Sequence, residues 1–299
     1  MKIKFWGVRG SIATPGASTV RYGGNTACTE LRLDDGSLII LDAGTGIRTL
    51  GDELMQRNET LSAHILITHL HWDHIQGFPF FKPAFVAGNE LTIVGPEAKG
   101  VKLAELIAEQ MNKIYFPVKL SEVEAKINFI PIKKEDSINI QGAYVQSFFV
   151  NHPGFTLGYR ITQNDKTLVY ISDNEPVNAE ASSFFINREA EKPDLSHAYH
   201  GDLDKHILEF VKGADVLIHD ATYTPEQYDG HIGWGHSDYL HALFLASGAG
   251  VKNLFLFHYD PSLDDKDIDD IIAKSNIEMR KLGCSYRLYA SKEGLEFEF

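Results

Sequence analysis

The sequence is poor in cysteine, with Cys28 and Cys284 the only two in 299 residues. They stand far apart, in what read as strands, so neither a disulfide framework nor a cysteine-rich zinc knuckle is on offer, and both are expected to be reduced thiols in the interior. Basic charge is also short. Against 41 Asp and Glu stand 28 Lys and Arg, a formal net charge of −13, which is the wrong sign for coating a phosphate polymer. Long apolar runs are missing: no stretch reaches the roughly 20 residues that span a bilayer. The opening Met1 to Ile12 turns to Gly, Arg and Ser before a signal-like run can develop, so a cytoplasmic protein without membrane contact is expected. Tandem repeats and low-complexity linkers are absent as well. What remains, 43% hydrophobic and 23% charged residues, is the mix of a globular chain whose length suits one large α/β unit or two domains.

Periodicity predicts short strands at Lys2 to Trp6, Thr26 to Leu33 and Ser37 to Leu41, then a helix from after Gly46 to about Asn58 with Ile47, Leu50 and Leu54 on one face. Further β-type runs follow at His64 to Thr68, Leu91 to Val94, Ile127 to Ile132, Ile138 to Val150, Thr156 to Ile161 and Lys166 to Ile171, with a helical stretch from about Lys99 to Asn112. Helices and strands then alternate: Leu203 to Lys212 helix, Asp215 to His219 strand, Ser237 to Ser247 helix, Val251 to Phe257 strand, and a last helix from about Asp264 to Lys281. Two β-rich halves, about 1–135 and 136–299, each finishing in helices, predict two sheets face to face with helices outside, in one domain over 1–299. The polar stretch Asn187 to Gly201 reads as a loop insertion.

The densest chemistry follows a predicted strand. Thr68-His69-Leu70-His71-Trp72-Asp73-His74 packs three imidazoles and a carboxylate together, a density that is hard to satisfy without a cation. Imidazole and carboxylate without thiolate suit zinc, manganese or iron, and the residues do not choose among them.

His-x-His-x-Asp-His after a strand resembles the signature of the metallo-β-lactamase fold superfamily, and further ligands of that series appear in order: His152 in Asn151-His152-Pro153-Gly154, Asp173 in Ile171-Ser172-Asp173, and His258 in Phe257-His258-Tyr259. The resemblance implies an α+β fold, the four-layer αββα sandwich. It also implies that His69, His71 and His152 hold one ion, that Asp73, His74 and His258 hold the other, and that Asp173 bridges. Two divalent ions are thereby implied, zinc first, with manganese or iron as alternatives. A shared carboxylate can keep two dications about 3.5–4 Å apart, where they acidify a bridging water and clamp a substrate oxygen.

The superfamily hosts several reactions, so the fold alone does not choose one. Oxygen-reducing diiron members carry Glu where His71 stands. Ile218-His219-Asp220-Ala221-Thr222 resembles the strand-borne acidic motif of the ribonuclease Z branch, with Asp220 for its Glu, and Gly235-His236-Ser237 resembles that branch's His-Ser-Thr motif, with Asp238 replacing Thr. The chemistry is coherent, because cleaving a phosphodiester expels an alkoxide and a protonated His held by a carboxylate can supply its proton. His236 is therefore read as general acid, Asp220 as its orienting carboxylate and Asp73 as a catalytic ligand beside the attacking water. His219 is a weaker candidate, and a capping role for His236-Ser237 at the helix start is the plain alternative. The opening Phe5-Trp6-Gly7-Val8-Arg9-Gly10-Ser11, Arg21-Tyr22-Gly23-Gly24-Asn25-Thr26 and His74-Ile75-Gln76-Gly77 are similar to PhnP-like and ribonuclease Z-like hydrolases. Arg9 or Arg21 is a candidate phosphate clamp, and Tyr115, Phe116 and Trp234 are candidate stacking groups.

Charge bears on substrate size. Pro96 to Asp136 carries seven Lys against seven acids, and Asn187 to Lys212 four basic against six acidic residues, so neither predicts a basic exosite for long nucleic acid. The favoured reading is a phosphodiesterase acting by metal-bridged hydroxide on a small phosphodiester such as a cyclic nucleotide or cyclic ribose phosphate. RNA processing of ribonuclease Z type, or hydrolysis of a lactone, thioester or lactam, is the alternative. Long nucleic acid is disfavoured as a partner, and a homo-oligomer is left open.

Overall fold

Side-chain alternation in one short strand sets out the layers. In β3 (Leu38–Leu41), Ile39 and Leu41 enter one apolar cluster while Leu38 and Ile40 enter another, as the period of two requires. The computed structural model describes residues 1–57, 59–97, 100–133, 135–177 and 202–299. Strands β1 (Lys2–Gly7), β2 (Cys28–Arg32), β3, β4 (Ser62–Leu66), β5 (Glu90–Gly95) and β6 (Lys126–Pro131) form the first sheet. The second contains β7 (Ser137–Ile140), β8 (Ala143–Phe149), β9 (Leu157–Gln163), β10 (Lys166–Ile171), β11 (Val216–Asp220), β12 (Asn253–Phe257) and β13 (Arg287–Ala290). A last strand, β14 (Glu296–Glu298), returns to the first sheet and pairs antiparallel with β1.

The larger cluster joins the sheets. Ile3, Phe5, Leu31 and Ile39 from the first meet Val145, Tyr159, Tyr170 and Phe257 from the second, and the Phe5 and Phe257 rings lie 6.1 Å apart. Helices α1 (Gly46–Met55) and α3 (Leu103–Glu109) cover the outer face of the first sheet through Ile47, Leu50, Leu103 and Ile107. On the second sheet lie α4 (Asp202–Val211), α6 (Tyr239–Ala249) and α7 (Asp265–Leu282), while α2 (Trp72–Ile75) and α5 (Pro225–Tyr228) are single turns near the sheet edge. Helix α6 is apolar around its circumference because all but Ser247 and Gly248 of it is buried. This is the four-layer αββα arrangement expected from the sequence. No helix among the described residues is long and apolar enough to cross a membrane.

The differences have local causes. The expected run Ile138 to Val150 is a hairpin, broken where Gln141 and Gly142 both take positive φ, 49° and 80°, the geometry of a tight two-residue turn. Strands β13 and β14 were not expected; they are only four and three residues long, too short for alternation to show. Cys28 is buried in β2 as anticipated, whereas Cys284 sits just beyond the Gly283 cap of α7 and not in a strand. The predicted loop insertion at Asn187 to Gly201, and the expected helix ends at Asn58 and Lys99, lie outside the described residues.

Candidate metal centre and hydrolytic site

Strand direction gathers the candidate ligands. β8 is antiparallel to β9 and β9 to β10, while β10, β11 and β12 are mutually parallel. The C-terminal ends of β8, β10, β11 and β12 therefore share one edge of the second sheet, and they deliver His152, Asp173, Asp220 and His258. Opposite, the turn after β4 carries His69 and His71 and leads into α2, which carries Asp73 and His74.

The side chains converge as two triads. His69, His71 and His152 offer nitrogens within 4.8 Å of one another, and so do the ligand atoms of Asp73, His74 and His258. His71 Nδ1 faces His152 Nε2 at 3.0 Å, and His74 Nε2 faces His258 Nε2 at 3.2 Å. Asp173 stands between the triads: Oδ2 is 3.8 Å from His69 and from His152 and 3.4 Å from His258, while Oδ1 is 3.2 Å from His74. All except His71 are buried.

Four of the five histidine rings have their outward nitrogens occupied, which fixes their orientation. His74 Nδ1 donates to Asp42 Oδ2 at 2.8 Å, His152 Nδ1 to the Gly235 carbonyl at 2.7 Å. Thr68 Oγ1 lies 3.1 Å from His69 Nδ1, and Thr222 Oγ1 3.2 Å from His258 Nδ1. Thr68 and Tyr170 also donate to Asp42, which is fully buried at the end of β3. Burial works against charge on His74, but Asp173, Asp73 and Asp42 outweigh it and raise its pKa well above the usual range. Burial likewise opposes ionisation of Asp73, yet the charge of His74 and a hydrogen bond from His258 hold its carboxyl far below normal.

His236 is not a cap. Asp238 caps α6 by accepting from the His241 N–H, and His236 instead pairs through Nδ1 with Asp220 Oδ2 at 3.0 Å. Asp220 also accepts from the backbone of Asn174 and Thr222 and from the Thr222 hydroxyl. Burial favours the neutral ring, but Asp220 by charge and hydrogen bond prevails and pushes His236 up to about 9. His236 also lies within ligand reach of both triads, grouped with His152 and Asp173 and with Asp220 and His258. Its loop is clamped by Glu175, whose carboxylate accepts from the N–H groups of Gly233 at 2.6 Å and Gly235 at 2.8 Å. One carboxylate thus fixes both the carbonyl that orients His152 and the approach to His236.

No role was expected of Asp42, Thr68, Glu175 or Thr222, although Thr68 and Thr222 stand inside the two motifs singled out in the sequence. Three expectations need correction. Arg9 is no phosphate clamp: it is fully buried, donating to the carbonyls of Gly23 at 2.8 Å and Leu263 at 2.6 Å. Arg21 is tied to Asp269, which Nη1 reaches at 3.0 Å. Both faces of β11 are buried, and His219 turns away from the triads toward His241, ring centroids 5.9 Å apart. Of the stacking candidates, Tyr115 and Phe116 line one pocket and exposed Trp234 does not belong to it.

The donor set fits divalent cations. His69 Nε2 is buried without a hydrogen-bond partner among the described residues, and unmatched lone pairs facing carboxylates at this density call for positive charge. Imidazole and carboxylate are the ligands such ions take.

A family model described as a beta-lactamase superfamily domain matches residues 38–259. Ribonuclease Z of Thermoplasma volcanium is 24% identical, over 100% of this chain and 97% of its own. Among solved structures, the short form of human tRNase Z superposes with a TM-score of 0.65 at 19% identity, covering 100% of this chain and 99% of that one. A diphosphatase of the PhnP family superposes at 0.63 and 17% identity, covering 100% and 97%. With the triads in place and a family model spanning most of its length, the chain belongs to the beta-lactamase superfamily, as a metal-dependent hydrolase.

Proposed function

We propose that the chain hydrolyses phosphodiester bonds with two divalent cations, zinc first, as its resident cofactor. The observation that carries this reading is the His236–Asp220 pair, 3.0 Å long and beside both triads. A thioester expels a stable thiolate that needs no proton; a phosphodiester of ribose must expel a basic alkoxide, as an alkyl lactone must, and that is where a held, protonated imidazole acts.

His69, His71 and His152 would hold one ion, Asp73, His74 and His258 the other, with Asp173 shared. When bound, the ions supply Lewis acidity to a water and to a phosphoryl oxygen. The chain's residues do the rest. Ser11 N–H, 2.7 Å from Asp73 Oδ2, fixes that carboxylate beside the attacking side. Asp220 holds His236 by Nδ1, leaving Nε2 as the proton donor to the departing oxygen.

On substrate size the relatives weigh against the small-diester preference. Those named ribonuclease Z, 24% and 26% identical in Thermoplasma volcanium and Staphylococcus carnosus, support RNA as substrate at least as well. The small diester keeps one observation, the net charge of −13, since long RNA is held chiefly by Lys and Arg. The test is one metal-loaded preparation assayed on a 3′-extended tRNA precursor, a cyclic-nucleotide panel, bis-p-nitrophenyl phosphate and a lactone. Endonucleolytic cleavage of the precursor decides for the nuclease, and turnover of cyclic nucleotides alone decides for the small diester. Lactone turnover with no phosphodiester cleaved overturns the proposal.

A further inference from the structure

Beside the metal-ligand turn lies a cavity of about 590 Å³ that the chemistry above does not use. Its wall begins within the ligand motif: Leu70 and Trp72 flank His71, one residue on either side. Its far side is the end of α3 and the loop after it, with Gln110, Tyr115 and Phe116. Phe80 and Phe116 meet edge to face, ring centroids 5.3 Å apart. Trp72 and Tyr115 stand 79% and 80% exposed, an expensive way to display large rings unless something covers them.

The lining narrows the ligand. Among the described residues that line it, Glu109 is the only charged side chain, so a phosphate or carboxylate is repelled and an uncharged group is favoured. Flat aromatic walls select a flat ring over an alkyl chain. Gln110 leaves its amide Nε2 without a hydrogen-bond partner; a turn of that amide presents a donor to a ring acceptor, which an alkyl chain lacks. The volume falls within the roughly 300–1,000 Å³ of ordinary ligand pockets.

We propose that this pocket receives the base of a nucleotide whose phosphodiester lies at the metal centre. The proposal rests on the phosphodiesterase reading and applies equally to a cyclic nucleotide and to one nucleotide of an RNA. Phosphate binding and base binding are thereby separated: cations and His236 act on the charged end, Trp72 and Phe116 on the flat end.

Two measurements test it on the metal-loaded protein. The first is binding of adenosine, which has no phosphate, followed by quenching of Trp72 emission, with Trp72→Phe identifying the signal. The second compares KM for a cyclic nucleotide with KM for a base-free cyclic ribose phosphate, in wild type, Trp72→Ala and Phe116→Leu. Stacking on an aromatic side chain is worth about 1–3 kcal/mol per base, so Phe116→Leu should weaken adenosine binding by about tenfold, and each variant should raise the KM ratio by a similar factor. Metal content is measured in parallel because Trp72 adjoins two ligands; Phe116 does not, and serves as the independent arm. No adenosine binding together with an unchanged KM ratio in Phe116→Leu overturns the pocket and leaves phosphodiester hydrolysis standing. Trp72-dependent adenosine binding in a protein that cleaves no phosphodiester overturns the reaction and leaves the base site standing.

Discussion

His236 and Glu175 divide a task that neither performs alone. If His236 protonates the leaving oxygen, its value depends on how badly that oxygen needs a proton. His236→Ala should slow a cyclic nucleotide by about 10²–10⁴-fold and bis-p-nitrophenyl phosphate far less, with metal content unchanged. Equal losses on both substrates would make His236 a structural group or a ligand. Glu175 touches neither substrate nor ligand atoms; it holds the N–H groups of Gly233 and Gly235. Glu175→Gln should lower metal affinity by roughly 10–100-fold, as loss of an outer partner does, and should also shift the cyclic-nucleotide to p-nitrophenyl rate ratio toward that of His236→Ala. An unchanged rate ratio would confine Glu175 to packing. The candidate ligands were legible because four of them crowd into six positions after a strand. Glu175 was not, because a lone carboxylate carries no pattern, and its role exists only once the Gly233–Gly235 turn folds over it.

At the scale of elements, the sequence exposed most of the strands and helices because burial on one face or both writes alternation or continuous apolar runs into them. Arg9 shows the limit of that reading. Its place in a Gly-rich loop looks like a phosphate site, yet the loop folds inward and the guanidinium caps backbone carbonyls 14 and 254 residues away, partners that no local pattern announces. The same loop explains a glycine. A Cβ at Gly10 would collide with the His258 imidazole, so Gly10→Ala should displace that ring and weaken the triad it shares with Asp73 and His74. The expected result is about one ion fewer per chain by elemental analysis with unchanged circular dichroism; full metal content would show that the loop can yield.

The whole molecule carries a pH dependence away from the site. Burial and the neighbouring His219 hold His241 down to about 3, whereas an unfolded histidine titrates near about 6.5. Between those values the unfolded chain binds the proton and the folded one refuses it, so this contribution is fully present above pH 6.5 and is lost as the pH falls. The slope approaches about 1.4 kcal/mol per pH unit, and wild type should lose about 2 kcal/mol more than His241→Gln between pH 7 and 5 in urea unfolding. The metal ligands titrate in both proteins, so the difference isolates His241; identical losses would mean that the ring finds a way to protonate in place.

The pairing of β14 with β1 has a temporal meaning. On the ribosome β1 emerges well before its outer partner, with β2 to β13 made between them, so until β14 appears the first sheet carries an open edge able to pair with any passing strand. Closure of that edge also brings the Met1 amine to 3.3 Å from the Phe299 carbonyl. The sheet is therefore sealed only once β14 has emerged, and a ribosome stalled before Glu296 presents a nascent chain whose candidate metal ligands are all synthesised while its first strand still lacks its outer neighbour.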